Sequence, residues 1–135
     1  MERYEILEHT GDVKIRVFGE TPDGLFQNAL LAMNEILKPK IKGQRSKVRN
    51  IEITSTDLNA LLVDFLSEIN YLRQVNREVY DKVKFTKFSA VKVEAELNGR
   101  KVEEFGEDIK AVTFHELDVR QGPEGIWETV IVFDV

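Results

Sequence analysis

The chain has 135 residues, 42% of them hydrophobic and 32% charged, with a formal net charge of -5 and no cysteine. Its length fits one domain, residues 1–135, with room for a real core, and its apolar content is too high for a disordered chain. Disulfides, thiolate metal sites and cysteine nucleophiles are excluded, and the acidic balance argues against a protein that coats nucleic acid non-specifically, since phosphate neutralisation needs excess Lys and Arg.

Residues 1–9 lack the basic start and apolar stretch of a secretory signal, and no apolar run approaches the ~20 residues of a membrane span. The expected setting is the cytoplasm, with no membrane partner. Tyr4 to Leu7 and Val13 to Phe18 read as two short strands, the second alternating Val13, Ile15 and Val17 with Lys14 and Arg16. His9-Thr10-Gly11-Asp12 forms the break between them. Thr21-Pro22-Asp23 then supplies a capping hydroxyl, a proline suited to the first helical position and an acid near the positive end of the dipole. The apolar stripe Leu25, Phe26, Ala29, Leu30, Met33, Ile36 and Leu37 makes the first helix, which stops ahead of Pro39.

Lys38, Lys40, Lys42, Arg45, Lys47 and Arg49 form the most basic segment, where Pro39 and Gly43 are expected to interrupt regular structure. The reading is a solvated loop, with contact to RNA or an acidic protein surface as the alternative. Arg49 to Ser55 alternates as a strand, Ser55-Thr56-Asp57 offers caps, and Leu58, Leu61, Leu62, Phe65, Leu66, Ile69 and Leu72 give the clearest helical period in the chain. Strands follow at Val79 to Phe88 and from Val91 to Leu97, with Asn98-Gly99 suited to a tight hairpin turn. Ala111 to Arg120 and Trp127 to Val135 read as the last two strands. The final one is apolar on both faces and so should be interior. The expected class is α+β, with two helices packed against a mostly antiparallel sheet.

No Gly-x-Ser-x-Gly elbow, phosphate loop, dinucleotide fingerprint or His-Glu-x-x-His motif is present, so a self-sufficient hydrolase, kinase or dehydrogenase is not expected. Two acids stand out. Asp12 lies at the mouth of a strand beside Gly11, and Asp134 breaks the apolar series Val130, Val132. A terminal carboxylate on Val135 would add hard oxygen donors, which suit Ca²⁺ or Mg²⁺ better than zinc. Set against this, Asp12 could serve only to satisfy turn amides, and Asp134 could be a solvated terminus. The two histidines, His9 and His115, are read as partly buried, hydrogen-bonded imidazoles, with proton transfer or metal ligation as the alternative. Lys110 is read as a surface lysine.

Three blocks carry a resemblance to a known family. The run Tyr4 to Val13, with its His-Thr-Gly-Asp junction, resembles the opening of the archease family; Lys110-Ala111-Val112-Thr113-Phe114-His115 resembles its Lys-Ala-x-Thr segment; and Trp127 to Val135 is similar to its ending. Phe114 stands where the family often has tyrosine, and Lys14 where it often has glycine. The resemblance implies a β/α/β layered fold with the helices between sheets. It also implies a cation held by Asp12, Asp134 and a main-chain or terminal oxygen of Val135, with His9 and Lys110 lining the pocket. Calcium is the usual ion, with magnesium or manganese as alternatives. By the same resemblance the protein is not an enzyme. The resemblance implies instead an activator of an RtcB-type RNA ligase in tRNA splicing, expected to promote guanylylation of the ligase and so its repeated turnover. RNA would be met only indirectly or through the Lys38 to Arg49 segment. A chaperone-like protein-binding module and a small metal-dependent enzyme acting on RNA or nucleotides are the rival readings.

Overall fold

The computed structural model describes residues 2–135, and the side chains of residues 8–10 lie outside the described set. Among the described residues there are nine strands and two helices: β1 (Tyr4–Thr10), β2 (Asp12–Gly19), α1 (Pro22–Leu37), β3 (Pro39–Arg45), β4 (Arg49–Thr54), α2 (Leu58–Asn76), β5 (Glu78–Phe88), β6 (Lys92–Phe105), β7 (Ala111–Thr113), β8 (Arg120–Gln121) and β9 (Trp127–Asp134). The pairings are antiparallel throughout. The class is α+β, as the residue pattern implies.

Both helices start where their caps place them. The Thr21 hydroxyl accepts the Gly24 amide at 3.1 Å, with Pro22 opening α1, and the Asp57 carboxylate accepts the Ala60 amide at 2.8 Å at the head of α2. The first sheet runs β1-β2-β9-β7, with β8 following β7 along the same edge of β9. In the second sheet β6 is the spine: β5 lies along one edge, and β3 and β4 lie end to end along the other. Helix α1 packs on β1, β2 and β9 and also on β5, while α2 packs on β7 and also on β4, β5 and β6. The helices are therefore the middle layer. Phe26 of α1, Phe65 of α2 and Phe85 and Phe88 of β5 join the layers, with ring centroids 5.0 to 5.8 Å apart at tilted and edge-on angles.

A buried carboxylate anchors the second sheet. Glu78, fully enclosed at the start of β5, accepts two bonds from Arg49 at 3.0 Å, one from the Tyr80 hydroxyl at 2.8 Å and one from Lys101 at 3.1 Å. Burial alone would raise its pKa, but the donors outweigh burial and hold it at about 2.

Four expectations are corrected. The Lys38 to Arg49 segment is not a loop: Pro39 opens β3, a position that proline tolerates, and Gly43 at φ 85° falls within a register shift against β6 that absorbs the irregularity. Asn98-Gly99 is not a turn but the middle of β6. Gly99 is required there because a Cβ would come 2.4 Å from the Val79 carbonyl oxygen and 2.9 Å from the Tyr80 ring. The hairpin turn lies at Ser89, whose hydroxyl accepts the amides of Val91 and Lys92. The stretch Ala111 to Arg120 is split into β7 and β8, because the chain turns at Glu116, φ 61°, and Thr129 and Asn59 capture the amides of Asp118 and Val119. His115 falls in that turn with its side chain 76% exposed, so it is not a partly buried imidazole.

Candidate metal centre

Gly11 alone separates the paired residues Thr10 and Asp12, at φ 81°. A Cβ there would meet nothing within 4 Å, so the backbone angle and not space demands glycine. The turn delivers Asp12 to the first position of β2. From there the register is set by burial: Val13, Ile15 and Val17 are fully enclosed, as are Ile131 and Phe133 of β9, and a slip of one residue would turn these sets to solvent.

That register makes Asp12 the direct partner of Asp134. Residues so paired leave the sheet on the same face with Cβ atoms about 4.5–5.5 Å apart, and both acids are exposed. On its other edge Asp134 faces Ala111, and its carbonyl accepts the Lys110 amide at 2.7 Å. The acid on β9 is thus held from both sides. Val135 is half-buried and packs against the core. Lys110 is exposed just before β7, beside a recess of about 260 Å³ between α2 and β7 that Asn70, Tyr71 and Gln74 also line. The His9 backbone pairs with Val13, but its side chain lies outside the described residues. Lys14 places its ammonium 2.6 Å from Glu116, which draws the Glu116 carboxyl below its ordinary pKa.

Among the described residues no group of three or more His, Cys, Asp or Glu could hold a metal. A cation here would have two side-chain ligands, with main-chain or terminal oxygens and water completing the shell. An all-oxygen set of this kind fits calcium or magnesium and not zinc.

Sequence reasoning missed the polar anchor behind the site. Asn70 and Arg73 are 6% and 4% exposed on α2. Asn70 donates to the Ile109 carbonyl at 3.0 Å, and Arg73 donates to the same oxygen at 3.1 Å, to the Asn70 side-chain oxygen at 2.8 Å and to Asp108 at 2.7 Å. The Arg73 guanidinium holds the Asp108 carboxyl below its usual pKa, and it lies 4.9 Å from the centre of the Phe105 ring. A signal was available: Leu62, Leu66, Ile69 and Arg73 share one helical face, so Arg73 falls on the buried stripe.

Residues 4–135 match the Archease protein family. The chain is 35% identical to the archease of Methanosarcina mazei over 147 residues, covering 99% of this chain and 97% of that one. It is 30% identical to the archease of Pyrococcus abyssi over 142 residues, covering 100% of both. Among solved structures it resembles protein 1598 of Methanobacterium thermoautotrophicum, with TM-score 0.75, 25% identity and 100% coverage of both chains. It also shares its fold with an archease of Thermotoga maritima, with TM-score 0.73 and 18% identity over 97% of this chain and 96% of that one. No helix among the described residues is long and apolar enough to cross a membrane. With one family matched from the first strand to the last residue and the fold shared, the chain belongs to the archease family.

Proposed function

We propose that this protein is a non-catalytic accessory factor that works in the cytoplasm, activating an RtcB-type RNA ligase of tRNA splicing by promoting guanylylation of the ligase and hence its multiple turnover. The observation that carries the reading is the pairing of Asp12 with Asp134. Like charges directly opposite each other in a ladder are destabilising, so a role in folding alone gives no reason for them, whereas a shared cation does. Calcium is the proposed ion, with magnesium or manganese as alternatives.

Bound there, a divalent cation would supply charge neutralisation of the kind phosphoryl transfer needs. The chain's own residues do the rest: Asp12 and Asp134 offer carboxylate oxygens, Val135 a main-chain or terminal oxygen, and the Lys110 amide fixes the Asp134 backbone. Lys110 would line the pocket from the recess between β7 and α2, and His9 is carried over by family resemblance alone. RNA is met through the ligase or through the basic strand β3.

The test is a guanylylation assay with the RNA ligase of the same organism, with and without this protein. Wild-type protein should accelerate guanylylation, and Asp12→Ala and Asp134→Ala should fold yet fail to do so. Full activity of both variants would remove the cation mechanism. The Thermotoga maritima archease is described as a possible chaperone; protection of unrelated aggregating proteins, indifferent to both acids, would favour that reading instead. Turnover of RNA or a nucleotide by the isolated protein, abolished by chelator, would favour a metal-dependent enzyme.

A further inference from the structure

We propose that Arg73, seconded by Asn70, is a positioning residue for the Asp12–Asp134 pair and acts through one peptide unit, the bond between Ile109 and Lys110; this rests on the cation reading above. The Ile109 carbonyl oxygen and the Lys110 amide hydrogen belong to the same rigid plane. Its oxygen is gripped from α2 by Asn70 at 3.0 Å and Arg73 at 3.1 Å, and its N–H donates to the Asp134 carbonyl at 2.7 Å. Rotation at one end of a planar unit is rotation at the other. The helix therefore sets the orientation of the N–H that fixes β9 beside Asp134.

The energetics point the same way. A guanidinium 4% exposed is costly to bury, and it persists only where its donors are used. Packing does not require it, since its position continues the stripe of Leu62, Leu66 and Ile69, which an apolar side chain of similar volume would fill. Two of its bonds, to Ile109 directly and to Asn70, converge on the one carbonyl. A cationic donor on that oxygen polarises the peptide and strengthens its N–H as a donor in turn. Asp108, 61% exposed, supplies the countercharge from the solvent side. The carbonyl of Ile109 is thus related to Asp134 as an outer-shell partner is to a metal ligand.

The experiment compares wild-type protein with Arg73→Met, which keeps the volume and removes the fork, and with Asp108→Asn, which leaves the grip on Ile109 intact. Three quantities are read: amide hydrogen exchange at Lys110, the calcium concentration needed to raise the melting temperature, and acceleration of ligase guanylylation. In Arg73→Met the Lys110 amide should exchange faster while the middle of the β2–β9 ladder keeps its protection. Calcium affinity should fall, by less than the ~10–100-fold that follows loss of a direct hydrogen-bond partner of a metal ligand. Guanylylation should fall with it and recover at high calcium, and Asp108→Asn, which keeps both donors on the Ile109 oxygen, should fall less than Arg73→Met on all three. Should Arg73→Met not fold, Arg73→Lys carries the same comparison, because it keeps the charge without the fork. Wild-type calcium affinity in the variant, or undiminished protection of the Lys110 amide, overturns the proposal. Failure of the wild-type protein itself to bind calcium, magnesium or manganese overturns the cation reading, and this proposal with it.

Discussion

Asp12 and Asp134 stand directly opposite each other on the outer face of the first sheet, one on β2 and one on β9. Opposed like charges in a ladder cost roughly 0.2–1 kcal/mol. In the presence of chelator, Asp134→Asn should therefore melt slightly above wild type. On the cation reading, added calcium should reverse the order, since at a hundredfold excess over its dissociation constant a ligand stabilises by about 2.7 kcal/mol and the variant would lack one of the two carboxylates. Scanning calorimetry with and without calcium makes the comparison, and a wild-type melting temperature indifferent to calcium would contradict it.

Glu78 makes the second sheet sensitive to acid. Its folded pKa of about 2 lies below the ordinary 4.5, so the stability it contributes is complete above pH 4.5 and is lost as the pH falls from there towards 2. The shift corresponds to about 3 kcal/mol. Glu78→Gln should destabilise at neutral pH by a similar amount, because Arg49 and Lys101 lose their shared anion. Below about pH 4 the gap between variant and wild type should narrow, and denaturant titrations across pH 2–7 would measure it.

Gly11 and Gly99 predict opposite kinds of damage. Ala at Gly11 meets no neighbour but must hold φ 81°, at about 1–2 kcal/mol. At Gly99 the new methyl would strike the Val79 carbonyl at 2.4 Å, and overpacking of this kind costs about 1–3 kcal/mol or more. Gly99→Ala should be the less stable protein by urea unfolding, yet Gly11→Ala should lose more calcium affinity, since it disturbs the turn that delivers Asp12.

On β3 and the turn beyond it, Lys42 and Lys47 are exposed, and no ion pair is found for either among the described residues. Replacing both with Gln should leave stability within about 0.5 kcal/mol and leave ligase guanylylation unchanged. A loss of RNA joining with guanylylation intact would assign this strand to the RNA.

What could be read from the chain is what is local. The stripes and caps of α1 and α2 announce themselves through contacts three and four residues apart, and the burial of β9 shows in its two apolar faces. The acids were legible as breaks in those patterns and through their likeness to family blocks. What escaped depends on neighbours distant in sequence. Gly99 looks like a turn until Tyr80 is placed against it, and Pro39 looks like an end until β6 supplies a partner edge. The stripe of α2 places Arg73 on the buried face, but its partners Ile109, Asp108 and Phe105 come from a distant stretch of chain.

The pairing of β2 with β9 joins residues far apart in sequence, Asp12 and Asp134. During synthesis the first acid emerges early and waits through both helices and the entire second sheet before its counterpart exists. A ribosome-bound fragment, or a product cut short ahead of β9, carries one carboxylate and no partner for it. On the cation reading, the two acids can act together only once β9 has paired with β2.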